Sequence, residues 1–150
     1  MVVLAPDIGS VPMSRSYAKL LDASLAIIDK RRPEHNKAEV MHLIGKVGAK
    51  NVLIMDDMID TAGTIVAAAK KARSMGAISV NAAVTHGVLS GPAIKRLLKA
   101  PIDRILVTDT INIDEKKRIE KLIPISVAPV FGEAIQRIHN EESISVLFDI

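Results

Sequence analysis

Asp56 and Asp57 close the apolar run Asn51-Val52-Leu53-Ile54-Met55, and shortly after them stands Asp60-Thr61-Ala62-Gly63-Thr64. That pentapeptide offers two hydroxyls, a glycine and small neighbours just where a helical pattern begins. The first backbone N–H groups of a helix have no intrahelical acceptor and attract anions. The segment therefore reads as a phosphate cradle, in which Gly63 lets the main chain approach the anion and Thr61 and Thr64 add donors. The paired carboxylates suit a different task. They repel phosphate, but they accept hydrogen bonds from sugar hydroxyls or hold Mg²⁺ with its waters. A sugar phosphate satisfies both halves. A lone Asp-Thr pair would read more simply as a helix cap; the string from Asp56 to Thr64 does not reduce to one.

Two further segments carry charge at the ends of apolar runs. Val2-Val3-Leu4-Ala5-Pro6 ends at Asp7-Ile8-Gly9-Ser10, and Leu25-Ala26-Ile27-Ile28 ends at Asp29-Lys30-Arg31-Arg32-Pro33. On composition alone the first is a carboxylate before a helix and the second a solvated basic loop. His35, His42, His86 and His139 show no metal-ligand spacing.

These residues need a scaffold that brings strand ends together. The pattern predicts strands over 2–5, 24–29, 51–57, 79–85 and 104–109, with shorter ones at 40–44 and 125–127. Helices are expected over 12–21, capped by Ser10, over 64–75, stopped by Gly76, from the loop at 86–92 to about 98, over 114–121 and over 130–140. Residues 30–37 read as a loop. The alternation predicts an α/β fold, a three-layer α/β/α arrangement with a mostly parallel sheet, whose ligands bind at the carboxyl ends of the strands.

Composition agrees with this. Of 150 residues, 49% are hydrophobic but only 2% aromatic, so the core must come from aliphatic side chains of the kind that fill strands buried on both faces. The net charge of +3 arises from 20 basic and 17 acidic residues interleaved. With almost no aromatics to stack on bases, the composition argues against a nucleic-acid partner. No apolar run reaches the ~20 residues of a membrane span. The absence of cysteine fits a soluble, cytoplasmic protein.

Taken together, Ile54-Met55-Asp56-Asp57-Met58-Ile59-Asp60-Thr61-Ala62-Gly63-Thr64 resembles the PRPP-binding signature of the type I phosphoribosyltransferase fold. Four other segments resemble PRPP synthetases (ribose-phosphate pyrophosphokinases), in the same order as in that family. They are Pro6-Asp7-Ile8-Gly9, Ile28-Asp29-Lys30-Arg31-Arg32-Pro33, Thr85-His86-Gly87-Val88-Leu89-Ser90-Gly91 and Glu141-Glu142-Ser143-Ile144-Ser145-Val146-Leu147-Phe148. The resemblance spans essentially all 150 residues.

It implies that the diphosphoryl group of ATP passes to O1 of ribose 5-phosphate, giving PRPP and AMP. Lys30 and Arg32 would be the catalytic pair on a flexible loop. Asp56, Asp57, Asp60, Thr61, Ala62, Gly63 and Thr64 would bind ribose 5-phosphate, and Asp7 would bind Mg²⁺. The family's Gly-Gly after that aspartate is Gly9-Ser10 here. His86 and Ser90 would fall where family members place nucleotide or regulatory contacts. The resemblance also implies a homo-oligomer, hexameric in the family.

Since family members are about twice as long, with two similar domains, residues 1–150 are expected to form one phosphoribosyltransferase-like domain matching the C-terminal half. Activity would belong to the full protein. The competing readings are a non-catalytic regulatory relative and a phosphoribosyltransferase.

Overall fold

The computed structural model describes residues 1–31 and 40–148. Strand β1 (Val2–Ala5) leads into helix α1 (Val11–Leu20), β2 (Ser24–Arg31), β3 (Val40–Ile44) and β4 (Asn51–Ile59). Helix α2 (Gly63–Ser74), β5 (Ser79–Gly87), α3 (Ala93–Lys99), β6 (Arg104–Thr108), β7 (Leu122–Ile125) and α4 (Ala128–His139) follow. The strands form one sheet in the order β3-β2-β1-β4-β5-β6-β7. All neighbours run parallel except β3, which pairs antiparallel with β2 at the edge. The expected α/β class, with its mostly parallel sheet, is the observed one.

The layers follow from strand alternation, which sends successive side chains to opposite faces. Val2 and Leu4 join a large core with Ile54, Ile65, Ala69, Leu97 and Ile105, beneath α2 and α3. Val3 joins the smaller cluster of Ala18 and Met55 beneath α1. Small residues make the larger layer possible. Ala68, Ala69 and Ala72 of α2 are fully buried, so the helix lies close to the sheet and excludes water from it. Gly87 is required for the same closeness, because a Cβ there would meet Val107 Cγ2 at 2.8 Å.

The other layer is thinner. Helix α1 packs on β1, β2 and β4, leaving Ile125 of β7 45% exposed. Helix α4 buries none of its residues. Its Val130, Phe131, Ile135 and Ile138 are 56% to 67% exposed.

Several elements differ from the sequence reading. Strand β2 runs on through Lys30 and Arg31, where a loop is expected, because β3 supplies a partner for them: Lys30 pairs with Met41 and Arg31 with Val40. β4 continues to Ile59 and β5 to Gly87, since each extends the other's ladder through Met58–His86 and Ile59–Gly87. The helix expected over 114–121 shrinks to the 3₁₀ turn Glu115–Lys117, in which Asp114 accepts the N–H of Lys116 at 2.9 Å. Its charged residues offer no apolar face to bury. β7 starts three residues earlier than expected, at Leu122. Residues 143–148, whose alternation also describes an edge strand, instead hold the 3₁₀ turn Ser145–Leu147. Among the described residues no helix is long and apolar enough to cross a membrane.

Candidate functional site

Parallel strands bring their carboxyl ends to one edge of the sheet, and the segments after β1 and β4 meet there. They line a cleft of about 320 Å³ formed by Asp7 and residues 56–65. A larger cleft of about 710 Å³ lies between Asp109 and Pro124, beside β6 and β7. Size alone would favour the second. It gathers none of the residues singled out in the sequence, whereas the first gathers Asp7, Asp56, Asp57 and all of 60–64.

The floor of the smaller cleft is the start of α2. The first intrahelical bond there is from Val66 N–H to the Ala62 carbonyl, at 3.2 Å. The N–H groups of Gly63, Thr64 and Ile65 therefore have no intrahelical acceptor. No side chain caps this end. That removes the simplest alternative for Asp60 and Thr61, since neither closes the helix. Asp60 turns its carboxylate to the hydroxyl of Ser90 instead. Glycine at position 63 is not required by crowding: a Cβ would sit 3.6 Å from Arg96 Nη1 and 3.8 Å from Thr61 Oγ1, ordinary contact distances.

The wall is acidic. Asp56 is half-buried and Asp57 exposed, and Asp56 Oδ1 accepts the N–H of Asp57 at 3.1 Å. Burial pushes the Asp56 carboxyl up from 3.8 to about 6, and the charges of Asp7 and Asp57 add to the rise against the opposing backbone hydrogen bond. Asp7 follows β1, where Ser10 donates to its Oδ1 from the backbone at 3.0 Å and from the hydroxyl at 3.1 Å. Ser10 does stand at the N-cap of α1, but its side chain does not cap the helix. It serves Asp7.

Lys30 reaches the same edge by strand rather than by loop. β1 pairs with β2 only as far as Ala5–Ile27, so the β2–β3 ribbon projects beyond β1 by four residues, ~13 Å, with Lys30 the third of them. Lys30 shares the parity of Ala26 and Ile28, which belong to the core beneath α2. Arg32, its expected partner, lies outside the described residues. His86 lies at the end of β5 and its Nδ1 is 2.9 Å from Thr110 Oγ1. Ser90 donates its hydroxyl to the Asp60 carboxylate.

A family model described as the phosphoribosyl synthetase-associated domain matches residues 32–149. The chain belongs to that family. Ribose-phosphate pyrophosphokinases of Caldanaerobacter subterraneus subsp. tengcongensis and Clostridium acetobutylicum are 54% and 51% identical to it over 148 residues, 99% of this chain. Those residues make up 47% and 46% of the two relatives, so the chain spans about half the length of the curated relatives it matches.

A solved phosphoribosylpyrophosphate synthetase of Mycobacterium smegmatis matches with a TM-score of 0.88 and 38% identity, over 94% of this chain and 45% of that one. Orotate phosphoribosyltransferase of Aeropyrum pernix matches with a TM-score of 0.59 and 18% identity, over 90% of this chain and 64% of its own. The second likeness concerns the fold alone. The phosphoribosyl synthetase family is thus shown by sequence and structure together, and the phosphoribosyltransferase likeness reaches no further than architecture.

The residues present fit a divalent cation only in part. Asp7, Asp56 and Asp57 are hard oxygen donors, yet among the described residues no three His, Cys, Asp or Glu side chains converge as a ready-made metal site. Mg²⁺ does not demand one: it usually keeps several waters and takes one or two carboxylates together with substrate phosphates.

Proposed function

We propose that this chain is the C-terminal, sugar-phosphate-binding domain of a cytoplasmic ribose-phosphate pyrophosphokinase. The observation that carries the reading is the uncapped start of α2, with its N–H groups opening into the cleft that Asp56 and Asp57 wall. The 5-phosphate of ribose would lie on the N–H groups and hydroxyls of residues 60–64, in the favourable field of the helix N-terminus. The carboxylates of Asp56 and Asp57 would accept hydrogen bonds from the ribose hydroxyls and so hold the ring with O1 towards ATP. The likeness to the synthetases' C-terminal segments supports the choice of half.

In the reaction, the O1 hydroxyl of ribose 5-phosphate gives up its proton to solvent and forms a bond to the β-phosphorus of ATP. The bond from that phosphorus to the oxygen bridging it to the α-phosphorus breaks, and its electron pair leaves with AMP. Such transfers need positioning and positive charge near the transferring group more than covalent help. Lys30 would supply a movable point charge and Arg32 a fixed fork. Asp7, with Asp56 and Asp57 near it, would hold Mg²⁺, which when bound offsets the charge of the ATP phosphates.

Retention of Lys30, Arg32, Asp60 and Thr64 favours an enzyme over a non-catalytic relative. The exposed apolar residues of α4 support assembly with further copies of the protein.

Calorimetric titration of this chain with ribose 5-phosphate tests the proposal. Saturable binding is expected, and Thr64→Asp should abolish it, because Thr64 lines the cleft and a carboxylate there repels phosphate while suiting the first turn of α2. Unchanged affinity in a folded Thr64→Asp variant, or no binding by the folded parent chain, would remove the cradle assignment.

A further inference from the structure

The cradle is braced from behind by the segment between β5 and α3. Leu89 N–H donates to the Ile59 carbonyl at 3.0 Å and Ser90 N–H to the Asp60 carbonyl at 3.0 Å. The Ser90 hydroxyl donates to the Asp60 carboxylate. Leu89 is 2% exposed, which anchors this brace in the core. The fourth bond comes from α3: Arg96 Nη1 donates to the Thr61 carbonyl at 2.9 Å.

That last bond falls on a strained unit. Ala62 has φ 62° and ψ 12°, the left-handed region, which costs an L residue about 1–2 kcal/mol. Such a conformation persists only where the surroundings over-determine it. In a planar trans peptide the carbonyl of Thr61 and the N–H of Ala62 point in opposite directions. An acceptor held by Arg96 on one side therefore fixes the donor on the other.

Building on the sugar-phosphate reading above, we infer that Arg96 is a positioning residue of the cradle. By holding the Thr61 carbonyl outward, it turns the Ala62 N–H into the cleft as a phosphate donor alongside those of Gly63, Thr64 and Ile65. Its guanidinium also brings positive charge to the back of the loop, where a Cβ on Gly63 would lie 3.6 Å from Nη1. Ser90 complements it by engaging the Asp60 carboxylate, whose free charge would otherwise oppose the phosphate. Arg96 acts through the peptide and need not touch the ligand.

The test is a titration of the isotope-labelled chain with ribose 5-phosphate, followed by calorimetry and by amide proton–nitrogen spectra. In the parent chain the Ala62 amide proton should move downfield on binding. Arg96→Met removes the donor while keeping the length and helix preference of an exposed side chain. It should bind about tenfold more weakly, the effect of one hydrogen bond, and lose the Ala62 response while remaining folded, with a melting temperature lowered by no more than about 2–4 °C. Arg96→Lys, which keeps a donor, should recover most of the affinity.

Equal affinity in Arg96→Met, or an Ala62 amide indifferent to bound ligand, overturns the role of Arg96 and leaves the cradle standing. A folded parent chain that binds no ribose 5-phosphate removes both. If Arg96→Met does not fold, the Ala62 response in the parent chain and the affinity of Arg96→Lys decide.

Discussion

Ser10 donates twice to one carboxylate oxygen, Asp7 Oδ1, from its N–H at 3.0 Å and from its hydroxyl at 3.1 Å. The hydroxyl also lies 3.1 Å from the Asp7 carbonyl, an alternative acceptor for its single proton. The glycine that the family resemblance implies at this position could supply only the first of these bonds. The serine is 7% exposed, so its hydroxyl has little contact with water and spends its proton on Asp7.

Ser10→Ala is therefore expected to lower stability by about 1 kcal/mol, the net worth of one hydrogen bond to a charged or part-buried group. Urea denaturation measures it. A midpoint equal to the parent's would mean that the backbone N–H alone holds Asp7.

Asp56 gives a prediction with a pH signature. Its folded-state pKa is about 6 against an ordinary 3.8, because burial penalises the charged form and Asp7 and Asp57 repel it. A raised carboxyl favours folding while protonated, so its contribution is fully present below pH 3.8 and is lost as pH rises through about 6. At neutral pH the ionised group is a liability to the fold. Asp56→Asn should then be more stable than the parent at pH 7.5, by about 1 kcal/mol once solvent screening of a half-exposed group is allowed for. The difference should shrink towards zero near pH 4. A gap that stays constant from pH 4 to 7.5 would show that charge at Asp56 is not its origin.

The same residues show how far local sequence reaches. The run ending at Asp57, followed by residues 60–64, was legible because an apolar strand, a turn and an alanine-rich helix are each written within a few neighbouring residues. Asp7 was legible for the same reason. Lys30 reads as a loop residue because the apolar run stops at Ile28 and the stretch from Asp29 to Lys37 is charged or polar around one proline. Its strand depends on Met41, across the sheet edge, and a pairing of that kind leaves no mark in the composition of either segment. The roles of Ser10, Ser90 and Arg96 were likewise hidden. Each acts through a carbonyl or carboxylate, and for Ser90 and Arg96 that partner is 30 or 35 residues away. The Lys-Glu-rich stretch at 115–121 misleads in the opposite direction: of its helix formers only Ile119 packs against the core, too little to hold a helix on the sheet.

Lys30 offers the most direct test of chemistry. On the proposed mechanism its ammonium meets negative charge that develops on the transferring group, not charge already present on ribose 5-phosphate. An interaction made mainly in the transition state lowers kcat when lost and leaves substrate binding nearly unchanged. In the complete enzyme, Lys30→Ala should lower the rate of AMP release by roughly 100-fold or more, a loss typical of removing one stabilising group from a water-poor site.

The dissociation constant of ribose 5-phosphate should move by no more than about twofold, since the cradle and the wall of Asp56 and Asp57 stay intact. The strand position of Lys30 sharpens the expectation. Its backbone is paired with Met41 whatever the side chain, so the substitution removes the charge without freeing the ribbon. Turnover equal to the parent's would take Lys30 out of the catalytic role. A parallel fall in turnover and in ribose 5-phosphate affinity would instead make it a binding residue of the ground state.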